Sequence, residues 1–233
     1  MIASTDASAT ARFGSPPAAM SGRIALPEDS AARPADSLEV RWIVPGELPP
    51  VMLEWFARYP AGTETRRDAY LLRPRLRGLS VKLRDGGALD VKSYLGSPGV
   101  LDLPRSCRGR LESWRKWSFP SGLAGPGGAG PPGWAVVGKS RLSSWFPLAS
   151  RPDLAQVRPP AAVAGCMAEL TEFRVRGEPW WSVGFEATGP VRLLRGTLEH
   201  AASLVFAQPL PPGVQFSLDN SQSYTHWLGQ RRA

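Results

Sequence analysis

Residues 79–92 read LSVKLRDGGALDVK, and this stretch decides the fold. Polar or charged residues occupy every second position on both sides of Asp85-Gly86-Gly87, and mostly apolar residues lie between them. A period of two indicates strands with two unlike faces, and Asp-Gly-Gly between them is a strong hairpin signal. The stretch therefore predicts two antiparallel strands that carry four charged residues on one face: Lys82, Arg84, Asp90 and Lys92.

The same alternation recurs later in residues 137–141 (VGKSR) and 183–186 (VGFE). Lys139, Arg141 and Glu186 extend the charged face. If these strands close into a barrel, the charges point inward and line a polar tunnel. A cationic tunnel with a few carboxylates suits a phosphorylated anion and a divalent metal. The alternative is an ordinary antiparallel sheet with one solvated face.

The composition bounds the class of protein. The chain has 233 residues, of which 42% are hydrophobic, and this is enough for one domain with a full core. The formal net charge of +8 favours anionic partners, either phosphate-rich small molecules or nucleic acid.

No apolar run approaches the length of a membrane span and the start does not read as a signal peptide, so we expect a cytoplasmic protein without a membrane partner. Cys107 and Cys166 form no CxxC motif and are expected to be reduced thiols, although their pairing stays open.

The pattern along the chain divides it into a tail and one domain. Residues 1–36, rich in Ala, Ser, Pro and Asp, are predicted to be a disordered tail, and residues 37–233 a single domain. The Gly/Pro-rich residues 121–133 are predicted to be a flexible loop. The fold class is α+β, an antiparallel closed or near-closed β-barrel that forms a tunnel, with helices packed outside. Besides the hairpin, strands are expected at 38–44, 68–72, 111–119, 134–145, 164–175 and 180–187, and helices at 48–59, 191–205 and 221–228, the last capped by Ser221.

The order of these segments resembles the CYTH superfamily, also called the triphosphate tunnel metalloenzymes. The resemblance covers about residues 38–230 and implies a closed antiparallel tunnel that acts on triphosphates with Mg²⁺ or Mn²⁺. It rests on charged and tyrosine residues spread over six segments: Asp68, Tyr70, Lys82, Arg84, Lys92, Lys139, Arg141, Glu169 and Glu186.

The first strand departs from the Glu-x-Glu-x-Lys signature of that family. Residues 39–43 read EVRWI, so Arg41 replaces the second Glu and Ile43 replaces the Lys. Near the end, Gly184 stands where the first member of a Glu-x-Glu pair is expected. The resemblance thus implies a divergent member whose Mg²⁺ or Mn²⁺ binding is weakened by the loss of acidic ligands. It assigns the metal to Glu39, Glu169 and Glu186, and the phosphates to Lys82, Arg84, Lys92, Lys139 and Arg141. The fixed positive charge of Arg41 is expected either to pair with Glu39 or to hold a phosphate as well.

Three hypotheses about function follow. The first is a tunnel protein that binds a triphosphate or polyphosphate-containing ligand and, if it is an enzyme, is a metal-dependent triphosphate hydrolase. The second is a non-catalytic sensor of a phosphate ligand on the same fold. The third, weaker because no recognisable motif supports it, is a basic nucleic-acid-binding protein. No catalytic residue is assigned, and the ligand and the oligomeric state stay open.

Overall fold

The architecture is an antiparallel barrel with helices around it, seen in a computed structural model that describes residues 34–73, 78–85, 87–120, 133–148 and 164–231. Within these ranges the chain forms ten strands and three helices. In chain order they are β1 (Ala35–Pro45), α1 (Pro50–Phe56), β2 (Gly62–Leu71), β3 (Leu79–Arg84), β4 (Ala88–Gly96), β5 (Val100–Leu103), β6 (Cys107–Arg110), β7 (Glu112–Pro120), β8 (Trp134–Pro147), β9 (Gly165–Val175), β10 (Glu178–Thr188), α2 (Val191–Phe206) and α3 (Tyr224–Gln230).

Eight strands close the barrel in the order β1-β10-β9-β8-β2-β3-β4-β7, and every neighbouring pair is antiparallel. The α+β fold class and the closed antiparallel barrel are thereby confirmed. The strands differ from the prediction in two respects. β2 begins at Gly62 rather than at Asp68, and β5 and β6, which pair with each other, were not predicted.

Strand β1 illustrates how the alternating sequence gives the sheet an apolar outer face and a charged inner face. Its residues Leu38, Val40 and Trp42 face outward and are buried under α1, α2 and the β5–β6 hairpin. Alternate residues point to opposite faces of a strand, so Glu39 and Arg41 face the barrel interior. The helices thus cover the apolar outer face of the sheet, and the charged side chains are left inside.

Helix α3 closes one end of the barrel. Trp227 and Leu228 of this helix are buried in a second apolar cluster with inward-facing strand residues that include Phe173 and Trp180. The ring of Trp227 lies 4.9 Å from that of Trp180 and 5.4 Å from that of Phe173, both edge-to-face. Two helices therefore pack outside, as predicted, while the third fills the end of the interior.

The segment before α3 completes the edge of β1. Strand β7 pairs with β1 only from Ala35 to Glu39. Beyond that point the N–H of Ile43 donates to the carbonyl of Asn220 at 2.8 Å, and the N–H of Gln222 donates to the carbonyl of Arg41 at 2.9 Å. Residues 220–222 thus bond to the part of β1 that β7 does not reach.

Ser223, rather than the predicted Ser221, caps helix α3. The Ser223 hydroxyl accepts from the N–H of His226 at 3.4 Å. The Ser221 hydroxyl instead accepts from the N–H of Arg110 at 2.8 Å, and its backbone bridges to Trp42. The two serines are close in sequence, and the bridge to β1 decides which of them begins the helix.

The predicted boundary between tail and domain, at residues 36 and 37, falls inside β1. Ala35 and Asp36 lie in β1, so the strand extends into the last residues of the predicted tail, and residues 1–33 lie outside the described ranges. Residues 121–132 of the predicted loop also lie outside them. Cys107 and Cys166 are both free and buried, in line with the expected reduced thiols. No helix in the described part of the chain is long and apolar enough to cross a membrane.

Candidate functional site

The part of the barrel interior that α3 does not fill is a charged cavity. The centres of water-sized molecules can occupy about 90 Å³ of it. Among the described residues, eight Lys or Arg and four Asp or Glu line this cavity. All six predicted phosphate ligands and all three predicted metal ligands are among them: Arg41, Lys82, Arg84, Lys92, Lys139, Arg141, Glu39, Glu169 and Glu186.

Two lining cations were not assigned from the sequence. Arg66 was missed because the expected start of its strand, Asp68, lies two residues later. Lys116 shares the parity of Glu112 and Trp114 in the predicted strand 111–119, but the resemblance gives it no role. The alternation of side chains could have identified both, because Arg66 lies two positions before Asp68 and Lys116 lies four positions after Glu112, on the same face of their strands.

One side of the interior, here called the paired wall, consists of Arg41, Lys92 and Arg141 bonded to Glu39, Glu169 and Glu186. Glu169 accepts from Arg41 at 2.9 Å and also from Arg141. The Lys92 ammonium donates to Glu39 and, at 3.0 Å, to Glu186. Every predicted metal ligand is thus bonded to a cation that the resemblance had assigned to phosphate.

The pKa values within the paired wall reflect this pairing. Burial raises the pKa of Glu39, with Lys92 opposing the rise and Glu186 adding to it. Burial acts in the same direction on Glu186, but Lys92 and Lys116 lower the pKa of that carboxyl overall. Burial likewise opposes the ionisation of Glu169, yet Arg141 and Arg41 lower its pKa. Glu169 and Glu186 are therefore held as carboxylates by cations of the protein itself.

The guanidinium of Arg41 fits because Gly184 lies beside it. The two residues are directly opposite each other in β1 and β10, and Glu169 is the next partner of Gly184 across β9. A Cβ atom at Gly184 would stand 2.7 Å from Arg41 Cζ. Arg41 therefore crosses the position of a missing side chain to reach Glu169 on the second strand over.

The opposite side of the interior, here called the basic wall, gathers five cations around two carboxylates. Asp68 is buried and is approached by Arg66, Lys82 and Lys139 at 3.4, 3.8 and 3.5 Å. Asp90, also buried, lies 3.7 Å from Lys82, 2.5 Å from Arg84 and 3.6 Å from Lys116. Unlike the paired wall, the basic wall has more cations than carboxylates to match them. Its members are Arg66, Lys82, Arg84, Lys116 and Lys139 with Asp68 and Asp90.

Burial, together with neighbouring cations, lowers the pKa values of the three lysines of the basic wall. Burial and the neighbouring Arg84 lower the pKa of Lys82 to about 7, although Asp68 and Asp90 oppose the fall. Burial, together with Lys82, Arg41 and Arg66, lowers the pKa of Lys139 well below its usual range. Burial also lowers the pKa of Lys116. An anion in the cavity would reverse these shifts, because it favours the charged form of each lysine.

A divalent metal does not fit the residues that were predicted to hold it. Among the described residues, no group of three or more His, Cys, Asp or Glu side chains is arranged to hold a metal ion. Glu169 is bonded to two guanidinium groups, and the Lys92 ammonium lies between Glu39 and Glu186. Hard cations need several free oxygen ligands, and here the oxygens already face protein cations.

Comparison with known proteins gives similar solved structures but no sequence relative. No family profile and no curated protein matches the chain. The S. pombe RNA triphosphatase Pct1 in complex with the Spt5 CTD is 9% identical, with a TM-score of 0.37 over 77% of this chain and 82% of that chain. Pct1 without the CTD is 10% identical, with a TM-score of 0.36 over 77% and 82%. The Hippeastrum protein HpAC1, described as having a dominant triphosphatase activity, is 12% identical, with a TM-score of 0.32 over 76% and 98%. At these TM-scores the likenesses carry no argument about the function of this chain.

Proposed function

We propose that the barrel interior binds the phosphate chain of a triphosphate or polyphosphate-containing ligand, held by the basic wall. The observation that carries this proposal is that five Lys and Arg side chains of the cavity have only two buried carboxylates, Asp68 and Asp90, and one exposed carboxylate, Glu64, which pairs with Arg66. Like charges held close together and away from water are costly unless an anion compensates them. A phosphate chain supplies several negative charges and many acceptor oxygens along one line. The triphosphate class itself comes from the resemblance in the order of the cations.

The two kinds of cation have different parts in this proposal. Arg84 uses its Nε to bond Asp90, and the guanidinium is fixed in place for further donation. Lys82 and Lys116 lie 3.6–3.8 Å from their carboxylates, so their ammonium groups have room to turn toward a ligand oxygen. The basic wall therefore combines two guanidinium groups, Arg66 and Arg84, whose Nε atoms face Asp68 and Asp90, with movable point charges.

The paired wall favours a protein that binds its phosphate ligand without hydrolysing it. Hydrolysis of a phosphoric anhydride needs a positioned water and compensation of charge on the transferred group. Glu39, Glu169 and Glu186, the carboxylates that would hold a metal for that purpose, are each bonded to Lys or Arg. The proposal is accordingly a phosphate-ligand binder or sensor rather than a hydrolase.

A calorimetric titration of the intact protein with tripolyphosphate tests the proposal. We expect saturable binding that weakens about tenfold in Lys82→Gln, the loss of one charge-assisted contact. Arg108→Gln is the matched control, because Arg108 pairs with Asp102 on the outer surface, where both side chains are more than half exposed. Equal affinity in both variants, or no binding to the folded wild-type protein, would refute the proposal.

Two further arms of the same experiment separate the alternatives. Phosphate release is followed in the presence of Mg²⁺ or Mn²⁺, and release that disappears in Lys82→Gln would assign a hydrolase instead of a binder. A single-stranded RNA with a 5′-hydroxyl is titrated beside tripolyphosphate. Affinity for that RNA which equals the affinity for tripolyphosphate and falls steeply with salt would favour the nucleic-acid hypothesis.

A further inference from the structure

We infer that the tunnel takes its polyanion without a divalent cation, because Arg41 and Lys92 occupy the spaces between the carboxylates of the paired wall. This inference rests on the proposed function and adds the chemical form of the ligand, which is the free phosphate chain and not its magnesium complex. It makes Arg41 and Lys92 determinants of specificity, separate from the cations of the basic wall.

The first step concerns Arg41 and its place over Gly184. The side chain is buried, its guanidinium donates to Glu169 at 2.9 Å and to the Ser182 hydroxyl at 3.3 Å, and it lies 4.5 Å from the centre of the Tyr224 ring. Any larger residue at position 184 would displace it. Arg41 and Gly184 therefore form a matched pair, in which the absence of one side chain makes room for the other.

The second step concerns Lys92, which bridges the two strands that carry the other carboxylates. Glu39 and Glu186 are direct partners in the β1–β10 ladder, so their side chains lie on the same face and close together. Like charges directly opposite each other destabilise a sheet. The ammonium of Lys92 donates to both and relieves this repulsion.

The three cations of the paired wall match its three carboxylates, and Arg141 also donates to the exposed Glu64, so each carboxylate between which a metal would lie is already bonded to a cation. A divalent ion between Glu39, Glu169 and Glu186 would stand close to a guanidinium that never deprotonates in proteins. It would also have to displace Lys92 from two ion pairs. Free phosphate oxygens, in contrast, meet an undiminished surplus of positive charge on the basic wall.

Magnesium should therefore compete with the protein for the ligand. Tripolyphosphate is titrated by calorimetry into the intact protein, once with EDTA and once with Mg²⁺ in excess over the ligand. We expect apparent affinity to fall about tenfold when nine-tenths of the tripolyphosphate is complexed. Tighter binding with Mg²⁺ would overturn this inference and leave the proposed function standing. No binding under either condition would refute the proposed function itself.

Manganese alone provides a readout that does not depend on the phosphate ligand. Free Mn²⁺ is followed by electron paramagnetic resonance as protein is added. We expect the wild-type protein to leave the signal unchanged and Arg41→Glu to reduce it, because that variant adds a carboxylate and removes the guanidinium. The control is Arg174→Glu, a charge reversal at an exposed residue of β9 that pairs with Glu47 on the surface.

Lys92→Gln serves as a second variant if Arg41→Glu does not fold, since it frees Glu39 and Glu186 without adding a buried charge. It should also bind Mn²⁺ more tightly than the wild-type protein does. Tight Mn²⁺ binding by the wild-type protein, weakened in either variant, would show that Arg41 and Lys92 do not exclude a metal and would overturn the inference.

Discussion

The ammonium of Lys139 lies 3.7 Å from the centre of the Tyr224 ring, so the first turn of α3 reaches the basic wall. The same ring faces the Arg41 guanidinium at 4.5 Å, and the Tyr224 hydroxyl lies 2.8 Å from that of Ser182. One aromatic side chain of the C-terminal helix thus contacts a cation from each wall. Cation–π contacts of this kind strengthen as water is removed, and this ring is half-buried in the lining of the cavity.

The first prediction is that the Tyr224 ring stabilises the closed end of the barrel more than its hydroxyl does. Tyr224→Leu should lower the free energy of unfolding by about 2–3 kcal/mol through loss of the ring contacts. Tyr224→Phe keeps the ring and should cost only about 1 kcal/mol, the value of one hydrogen bond. Urea denaturation of both variants measures the difference, and equal losses would contradict the role given to the ring.

The second prediction concerns the pH dependence of ligand binding through Lys82. In the free tunnel its pKa is lowered to about 7 by burial and Arg84, with Arg66 also acting against the charge and Asp68 and Asp90 in its favour. A bound polyanion raises this pKa, so binding takes up protons. Affinity should therefore be highest below about pH 7 and decline as the pH rises above it.

Proton uptake is measured by calorimetry with tripolyphosphate near neutral pH, in two buffers that differ in ionisation enthalpy. Lys82→Arg is the control, because a guanidinium stays protonated throughout this range and removes the contribution of Lys82. The titration of the ligand itself is common to both proteins and cancels in the comparison. Proton uptake that is identical in wild-type and variant protein would exclude Lys82 as its source.

The same pKa shift makes the affinity for the ligand fall with pH but makes the stability of the free protein rise. Lys82 is lowered from an ordinary value of 10.5, so between about pH 7 and that value the unfolded chain binds the extra proton. The contribution of Lys82 to stability therefore rises with pH across this window. The melting temperatures of wild type and Lys82→Met should approach each other as the pH rises toward 10.5 and the lysine becomes neutral. At about pH 7 and below, the variant should be the more stable protein.

The third prediction distinguishes the two faces of β7. Lys116→Gln removes a half-buried charge that lies 3.6 Å from Asp90 and lines the cavity, and should weaken tripolyphosphate binding about fivefold to tenfold. Arg115→Gln, the adjacent residue on the outer face, breaks a surface pair with Asp36 and should leave affinity unchanged. Circular dichroism confirms that both variants are folded. A reduction by the Arg115 variant as large as that by the Lys116 variant would argue against an internal site.

The fourth prediction uses two strand glycines as a matched pair. A Cβ at Gly109 of β6 would stand 2.5 Å from the Trp42 ring, in tight contact with β1, so Gly109→Ala should destabilise the protein by about 1–3 kcal/mol. Gly138 of β8 has nothing within 4 Å of such an atom, and Gly138→Ala should change stability by less than about 0.5 kcal/mol. Denaturant midpoints for the two variants decide whether the β5–β6 hairpin packs as described.

The barrel could be predicted because the alternation of side chains is a local property of the sequence. Residues 79–92 specify two strands and their turn, and the charged face follows from parity alone. The short strand Val100–Leu103 and its partner β6 were missed because four residues are too few for a periodic pattern to be distinguished from a loop. The strand boundaries at Gly62 and Pro147 depend on pairing with distant segments, and local pattern does not encode them.

The division of the interior into two walls could not be predicted in the same way. Parity indicates that Arg41 and Glu169 face inward, but not that they meet, because 128 residues separate them. Their contact depends on the register of β1, β10 and β9 and on the empty space at Gly184. In the sequence alone, Arg41 and Gly184 each indicate the loss of a carboxylate, whereas in the fold they belong to one interaction.

The path of residues 220–222 along the edge of β1 bears on the order in which the molecule can assemble. About 180 positions separate these residues from their partners in β1, Arg41 and Ile43. Contacts of such long range are slow to form, because the entropy of closing so long a loop must be lost first. During synthesis the barrel strands leave the ribosome before the segment that seals them, and until then the apolar end of the tunnel is exposed to water. We expect the chain to be prone to aggregation during that interval, because exposed apolar surface favours association with other chains.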